Sequence, residues 1–405
     1  MTDVLTETEL LAPAGNTEKM LTAFHFGADA VYLAGQSFGL RAYAGNFTDE
    51  QMAEAVRYAH SIGKKVYVTI NIFAFNSDFD GLADYLKRVE SAGADAVLVT
   101  DVGVFDFVRK NTSLKIHIST QANTTNKYAV KFWYEHGAER VVLARELSLD
   151  DISEIHSFVP ECQLETFVHG AMCIGYSGRC LMSNYLTGRD GNRGQCVQAC
   201  RWEWEINEIG DKNRKLRLTE DGRGTYIFNS KDLNMIKHLD ELKKAGVYSF
   251  KIEGRMKSAF YVATVVNAYR RALNGENTDI LNGELEKASH RTYTTGFFLD
   301  EQQRQYYPSS KAVEQSKFIA KVLDWKDGVA TIEQRNKFVS GQTLEILSSG
   351  ESQCKTFVVD DIRDADGNPV EVANVVQQRL TVKCPYPLTA GDILRLPVVT
   401  GSAEN

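Results

Sequence analysis

The stretch Ala92-Gly-Ala-Asp-Ala-Val-Leu-Val99 joins a glycine to a short apolar run, and close variants of it recur along the chain. Three further copies occupy residues 26–33, 136–143 and 245–252. Each glycine stands where a preceding helix would end, because only glycine adopts the left-handed conformation there without strain. The apolar residues after the glycine predict a buried strand. The repeated unit is therefore a helix followed by a strand.

Counting these units predicts the fold class. Four more strand candidates, at 10–13, 65–71, 115–121 and 164–168, bring the number to eight. Eight strands that alternate with helices predict an α/β fold, a (β/α)8 TIM-type barrel, which needs about 250 residues. An open doubly wound sheet is the alternative, although no G-x-G-x-x-G pattern follows the first strand. We predict a barrel domain over 1–275, with a cysteine-rich insertion at 171–224 after strand 7 and a helix at 233–245 that resumes the barrel.

The pattern changes after residue 275. Residues 276–315 are polar and predict a linker that contains one acidic helix. Residues 316–400 show short alternating runs separated by turn dipeptides such as Asp327-Gly328, which predict a small C-terminal antiparallel β-barrel. At the level of the fold this part resembles the barrel beside the GTPase domain of translation elongation factors, and a role as a cap or dimerisation module stays open.

Charge and hydrophobicity narrow the class of protein. The 405 residues carry a formal net charge of -7 and have a pI near 5.7. A protein that coats nucleic acid is basic over its whole surface, so that class is excluded, whereas a local basic face is compatible with this balance. No apolar run approaches the roughly 20 residues of a membrane span, and no signal peptide is recognisable. We expect a cytoplasmic protein without membrane contact, and the sequence leaves its oligomeric state open.

Four of the seven cysteines lie close together, with the spacing C-x6-C-x15-C-x3-C, at Cys173, Cys180, Cys196 and Cys200. A chain of this length needs no disulfide staples, so a metal or iron–sulfur centre is the better interpretation. Thiolates suit both iron–sulfur clusters and zinc, but zinc modules usually have shorter spacers. Arginines outnumber the single acid of this stretch, which favours an anionic cluster. Zinc and unliganded core thiols stay open as alternatives.

The same stretch carries a longer signature. The pattern E-x-F-x-x-G-A-M-C-x4-G-x-C-x-M-S, from Glu165 to Ser183, resembles that of the collagenase-like peptidase family of unassigned catalytic type, number 32. Further similarity at 11–16, 251–255 and 295–297 extends the resemblance over residues 9–300. The resemblance implies hydroxylation of the wobble uridine of tRNA to 5-hydroxyuridine, with a [4Fe-4S] cluster on the four cysteines and prephenate as co-substrate. The implied partners are therefore tRNA and prephenate.

Enzymes with this barrel build their active sites at the carboxyl ends of the strands, where the sequence places several polar residues. We predict catalytic roles for Arg145, Arg255 and His169, because guanidinium groups bind carboxylates such as those of prephenate in bidentate geometry. The predicted substrate-binding residues are Arg41, Lys231, Arg189 and Arg193. Structural salt bridges are the alternative for the arginines, and a hydrogen-bonded core position is the alternative for the histidine.

Two protease motifs bear on the function. Gly35-Gln-Ser-Phe-Gly39 fits the nucleophile elbow G-x-S-x-G, but the next helix is predicted to start only at Thr48, where Gln51 completes a capping box. No H-E-x-x-H pattern occurs among the eight histidines. The sequence therefore shows no visible proteolytic machinery, and the resemblance implies an iron–sulfur-dependent, tRNA-modifying hydroxylase. A peptidase and a non-enzymatic iron–sulfur scaffold for another hydroxylase stay open.

Overall fold

The computed structural model describes residues 8–39, 45–173, 175–202, 220–221, 224–225, 231–299 and 315–397. The chain forms two compact units. The first comprises Met1–Met20, Asp29–Met256 and His290–Ala312, and the second comprises Leu21–Ala28, Lys257–Ser289 and Val313–Asn405. Each unit therefore combines segments that are far apart in the sequence.

The first unit is built on parallel strands. In chain order its described strands are β1 (Glu9–Pro13), β2 (Ala30–Leu33), β3 (Lys65–Ile70), β4 (Ala96–Val99), β5 (Ile116–Ile118), β6 (Arg140–Val142), β7 (Gln163–Ala171), β8 (Glu220–Asp221), β9 (Gly224–Thr225), β10 (Asp232–Asn234), β11 (Val247–Ile252) and β12 (Tyr293–Thr294). Strands β1 to β7 pair in sequence order, and β11 pairs in parallel with both β1 and β7. These eight strands close into a barrel, which confirms the predicted (β/α)8 fold and excludes the open sheet.

Burial explains why short apolar runs were sufficient to locate these strands. Every residue of β1, β2, β4 and β6 is buried. A parallel strand covered on both faces is mostly apolar along its length instead of alternating with polar residues, and Glu9 and Arg140 are the charged exceptions in these four strands. The eight predicted strand positions all coincide with barrel strands.

The helices of the described residues are α1 (Thr17–His25), α2 (Asp49–Ser61), α3 (Leu82–Ser91), α4 (Val102–Asn111), α5 (Lys127–Glu135), α6 (Leu149–Phe158), α7 (Met182–Thr187), α8 (Leu239–Lys244), α9 (Ala259–Leu273) and α10 (Thr278–Leu285). Helix α2 begins with the predicted capping box, in which Thr48 Oγ1 accepts from the N–H of Gln51 at 3.2 Å. Gly246, after α8, has a φ of 90°, and a Cβ atom there would lie 2.2 Å from Cγ of His156. None of the described helices combines the length and the hydrophobicity that crossing a membrane requires.

The chain departs from the prediction just before α8. The helix expected at 233–245 is wrong over its first half, because residues 232–234 form the strand β10 and α8 begins only at Leu239. β10 pairs antiparallel with the end of β7, so that Asp232 lies opposite Ala171 and Asn234 lies opposite His169. Backbone pairing with a neighbouring strand outweighs the helical spacing of so short a segment.

The second unit contains α9, α10 and an antiparallel sheet. Its described strands are β13 (Phe318–Lys326), β14 (Val329–Gln334), β15 (Phe338–Val339), β16 (Gln342–Leu347), β17 (Thr356–Val359), β18 (Ile362–Arg363), β19 (Val372–Ala373), β20 (Arg379–Lys383) and β21 (Ile393–Arg395). Seven of them pair in the order β17–β16–β21–β13–β14–β20–β18 and make a nearly closed sheet. The turn between β13 and β14 has positive φ values at Asp327 and Gly328 (49° and 83°), as hairpin turns of this type require.

The sequence located the six longer strands of this sheet and missed β15, β18 and β19, which have two residues each. Two residues are too few for an alternating pattern to be recognised. The predicted linker at 276–315 contains α10 and β12, and residues 300–314 of it lie outside the described residues.

Candidate active site

Residues 173–202, which we call the cysteine segment, begin just after β7 ends. The first loop of the segment is fixed to the ends of two other barrel strands. The N–H of Ser177 donates to Oε1 of Glu146, after β6, at 3.0 Å. Gly178 lies so close to the carbonyl of Gln121, after β5, that a Cβ atom would be 2.1 Å from its oxygen. The segment therefore lies at the carboxyl ends of the strands, where barrel enzymes have their active sites.

Arg145, which follows β6, connects the cysteine segment to the barrel. Its Nη1 donates to the carbonyl oxygen of Ala171 at 3.0 Å and lies 3.9 Å from Sγ of Cys173. Its Nη2 donates to Oε2 of Glu253 at 3.4 Å, and the guanidinium lies 4.0 Å from the ring centroid of Phe167. The side chain is only 10 % exposed, so its charge acts in a low dielectric. A cationic donor beside a sulfur atom suits an anionic sulfur ligand.

The cysteines themselves have the properties of metal ligands. All four lie outside disulfide bonds and are at least partly exposed: Cys173, Cys180, Cys196 and Cys200. The N–H of Gln198 donates to Sγ of Cys196 at 3.4 Å. Gly175 and Gly191 leave room beside two of the cysteines, where added Cβ atoms would contact the Cβ atoms of Cys180 and Cys196 at 3.4 and 3.5 Å. Thiols with N–H donors nearby fit an iron–sulfur cluster, and zinc accepts the same ligand type.

The other three cysteines differ from these four. Burial raises the pKa of the Cys162 thiol to about 12 and that of the Cys354 thiol to about 11, and it also raises the pKa of Cys384. Metals bind the thiolate and not the thiol. Cys162 and Cys384 are therefore poor candidates for ligands, whereas Cys354 is exposed and lies in a group with Glu284 and Glu345 whose ligand atoms are all within 4.8 Å of one another.

Hydrogen bonds inside the cysteine segment hold its two halves together. Oγ of Ser183, on α7, donates to the carbonyl oxygen of Arg189 at 2.7 Å and accepts from the N–H of Val197 at 3.2 Å. The side chain of Asn192 donates to the carbonyl oxygen of Cys180 at 2.9 Å. These bonds give the segment a defined conformation although it contains little regular structure.

Arg193 attaches the segment to the loop after β3. Its Nη1 and Nη2 donate to the two carboxylate oxygens of Asp78 at 2.6 and 2.9 Å, and Nη1 also donates to the carbonyl oxygen of Phe73 at 2.6 Å. The guanidinium lies 4.8 Å from the ring centroid of Phe75. The hydrogen bond from Arg193 lowers the pKa of the Asp78 carboxyl. This predicted substrate-binding arginine thus makes an ion pair within the protein, as the salt-bridge alternative expects.

A cavity of about 340 Å³ lies beside this ion pair. Its lining includes Phe38 from the loop after β2 and Ile72 from the loop after β3, together with Asp78 and Arg193. The volume falls within the usual range of small-ligand pockets.

Two more of the predicted basic residues, Arg255 and Lys231, lie beside the strands β11 and β10. Arg255, after β11, is 3 % exposed, and its Nη2 donates to Oδ1 of Asn46 at 2.7 Å, while Nη1 lies 3.4 Å from Oγ1 of Thr69. Two uncharged side chains are therefore among the partners of this guanidinium. Lys231 immediately precedes β10, next to the start of the cysteine segment. Arg41 lies outside the described residues.

His169 lies on β7 and is buried. Its ring centroid is 5.4 Å from that of Tyr293, which in turn stacks on His290 at 4.5 Å. Its carbonyl oxygen accepts from the N–H of Glu253 at 2.9 Å. The ring is packed in the barrel wall, an arrangement that fits the core alternative for this histidine.

The barrel interior contains a buried ionic network that the sequence analysis missed. Nη1 of Arg140 contacts Oε1 of Glu9 at 2.6 Å and Oε2 of Glu165 at 2.9 Å. Nζ of Lys251 donates to Oε1 of Glu165 at 2.7 Å, and the hydroxyl of Tyr67 donates to Oε2 of Glu9 at 2.6 Å. Burial raises the pKa of the Glu165 carboxyl, but Lys251 and Arg140 outweigh burial and lower it to about 2. The available signal was a charged residue in the middle of a predicted buried strand.

Known proteins resemble this chain over nearly its whole length. The family model described as "Peptidase family U32" matches residues 15–307, and that described as "Peptidase family U32 C-terminal domain" matches residues 314–395. The tRNA hydroxylation protein P1 of Bacillus subtilis (strain 168) is 39% identical over 400 residues, which cover 96% of this chain and 94% of that protein. The tRNA hydroxylation protein P of Escherichia coli (strain K12) is 36% identical over 416 residues, with 90% and 91% covered. A collagenase of Porphyromonas gingivalis (strain ATCC BAA-308 / W83) is 32% identical over 305 residues, with 72% of each chain covered.

Proposed function

Because this chain belongs to peptidase family U32, we propose that it hydroxylates tRNA and converts the wobble uridine to 5-hydroxyuridine. The observation that carries the proposal is the 39% identity with tRNA hydroxylation protein P1 over 96% of this chain. That similarity extends over the barrel and the C-terminal unit alike, so the comparison concerns the whole protein. A tRNA substrate also supports the expected location in the cytoplasm.

We further propose that the four cysteines of the cysteine segment hold a [4Fe-4S] cluster. Support comes from the absence of disulfide bonds at these four cysteines, their partial exposure and the start of the segment at the carboxyl end of β7. A cluster of this type would supply single-electron transfer when it is bound. Arg145 and the N–H of Gln198 are the donors beside the sulfur atoms of Cys173 and Cys196. Such donors adjust the potential of a cluster through its ligands.

Prephenate is the co-substrate in this proposal, and its carboxylates need cations at the barrel mouth. Arg145 is the best placed of the predicted residues, because it borders both Cys173 and Glu253. Lys231 is a second cation, close to the start of the segment. Arg255 is a third: it follows β11, which pairs with β7 on the side opposite to β6 and Arg145. Each charge-assisted pair contributes on the order of 1.5–3 kcal/mol to binding.

The proposal is tested by complementation. The chain is expressed in a bacterial strain deleted for its own tRNA hydroxylation protein, and tRNA nucleosides are measured by mass spectrometry. We expect 5-hydroxyuridine to return with the wild-type chain, to stay absent with Cys173→Ser, and to return with the matched control Cys354→Ser. Failure of a folded, iron-containing wild-type chain to restore the nucleoside would contradict the proposal. An assay of the purified protein with tRNA and prephenate then separates an enzyme from a scaffold that serves another hydroxylase.

A peptidase is the second candidate, since one relative is a collagenase. Its nucleophile would be Ser37 of the G-x-S-x-G pattern, but β2 ends at Leu33 and helix α2 begins only at Asp49. A nucleophile elbow turns directly from strand into helix, and the described residues around this serine, 34–39, contain no helix. Gelatin cleavage by the purified wild-type protein, with loss of cleavage in Ser37→Ala, would favour the peptidase.

A further inference from the structure

The cysteine segment displays an unusual number of large apolar side chains to solvent. Tyr185 is 89 % exposed, the highest value among the large hydrophobic residues that the structure describes, and Tyr176 is 62 % exposed. Three more exposed apolar residues belong to the same segment: Leu181, Leu186 and Trp202. Single exposed apolar side chains are common, whereas a concentration of them within one short segment indicates a binding surface.

These tyrosines are presented by a fixed backbone. Tyr185 lies on α7. In the same helix, the hydroxyl of Ser183 makes hydrogen bonds to the carbonyl oxygen of Arg189 and the N–H of Val197. Tyr176 directly precedes Ser177, whose N–H and hydroxyl both donate to the Glu146 carboxylate at the barrel mouth. A side chain on a fixed element loses little freedom when a ligand covers it, so these aromatic rings are organised for contact in advance.

The charge of the segment indicates which ligand the rings receive. The segment carries four arginines and one acid: Arg179, Arg189, Arg193, Arg201 and Asp190. Arg193 is paired with Asp78, yet the other three still outnumber the acid in a chain whose net charge is -7. Aromatic rings among arginines are typical of surfaces that bind unpaired nucleotides, because each base has a face to stack on and each phosphate has a charge to neutralise.

We propose that Tyr176 and Tyr185 stack on unpaired bases of RNA, so that the cysteine segment binds a single-stranded loop and not a duplex. The inference rests on the proposed function, in which the substrate is a tRNA loop. Bases inside a duplex have both faces covered by their neighbours, so only a loop offers faces to these rings. Stacking tolerates any base, and it therefore adds affinity while the choice of the modified uridine is made elsewhere in the site.

Equilibrium binding by the full-length protein tests the inference. The probes are an anticodon stem-loop RNA and a fully paired RNA duplex of equal length. We expect Tyr185→Ala and Tyr176→Ala each to weaken stem-loop binding about five- to hundredfold, with the salt dependence unchanged because no charge is lost. Tyr185→Phe keeps the ring and should bind as the wild type does. Tyr128→Ala is the matched control, since Tyr128 is 67 % exposed on helix α5, where its ring lies 5.3 Å from that of Phe158.

A second measurement reports the stacking without any substitution. A 2-aminopurine base in the loop of the probe should lose fluorescence when the wild-type protein binds, and the loss should be smaller with Tyr185→Ala. Any of three results would overturn the inference. These are unchanged stem-loop affinity in both alanine variants, an equal loss of affinity for the stem-loop and for the duplex, and no fluorescence quenching by the wild type. If the wild type forms 5-hydroxyuridine while the alanine variants bind normally, the stacking role alone is wrong. If the tyrosines are needed for binding but no 5-hydroxyuridine forms, the proposed function is wrong and the stacking role stands.

Discussion

Removing the cation at the centre of the barrel network should destabilise the protein strongly. Arg140→Met keeps most of the side-chain volume but removes the guanidinium that lies 2.6 Å from Glu9 and 2.9 Å from Glu165. Truncating one partner of a buried ion pair costs about 3–5 kcal/mol, because the other charge stays buried without compensation. Glu165 keeps Lys251 at 2.7 Å and Glu9 keeps the hydroxyl of Tyr67 at 2.6 Å. We therefore expect the lower end of that range, about 3 kcal/mol.

The assay is equilibrium unfolding in urea, followed by circular dichroism. The matched control is Arg109→Met, which removes an arginine that pairs with Asp106 at 2.8 Å on the protein surface. Exposed pairs of this kind contribute less than about 1 kcal/mol. A loss below about 1 kcal/mol for Arg140→Met, equal to that of the control, would refute the view that the buried carboxylates depend on this cation.

The same network predicts a pH dependence. The folded-state pKa of Glu165 is lowered from 4.5 to about 2, so its contribution to stability is present above pH 4.5 and is lost as the pH falls towards 2. Protonation also neutralises the Glu165 carboxylate, which Arg140→Met leaves with Lys251 as its remaining basic partner. The stability difference between wild type and variant should therefore shrink in acid, and a difference that grows below pH 4.5 would contradict this assignment.

Three further predictions concern the cysteine segment. Serine at any of its four cysteines should remove iron from the purified protein, as measured per chain, whereas serine at the isolated cysteines should leave the iron content unchanged: Cys162, Cys354 and Cys384. Gly178→Ala should also lower the iron content, because the added Cβ would lie 2.1 Å from a carbonyl oxygen. Gly188→Ala is its control: Gly188 has a similar φ of 70°, but no atom lies within 4 Å of the added Cβ, so this variant reports the cost of backbone strain alone. A double-mutant cycle of Arg193→Gln and Asp78→Asn should give a coupling free energy of about 1 kcal/mol, and additive effects in urea unfolding would show that the pair does not hold the segment.

The fold and the candidate ligands could be predicted from the sequence because their signals are local. A buried parallel strand is a short apolar run, and the glycine before it is required by its own backbone conformation, as the φ of 81° at Gly93 illustrates. The cysteine spacing is equally local. The error at 232–234 has the opposite origin, since that strand exists through its pairing with the distant strands β7 and β12.

The arrangement of the site was decided by the tertiary structure. Arg140 and Glu9 are 131 residues apart in the chain, and Arg193 and Asp78 are 115 residues apart, yet both pairs are in direct contact. Closure of the barrel brings such residues together, and no periodicity along the chain records which strand ends become neighbours. The sequence by itself determined the eight strands, the second unit and the four clustered cysteines. Only the closed barrel decided that Arg145 lies beside Cys173, because side-chain contacts between distant segments depend on strand register and packing and not on local composition.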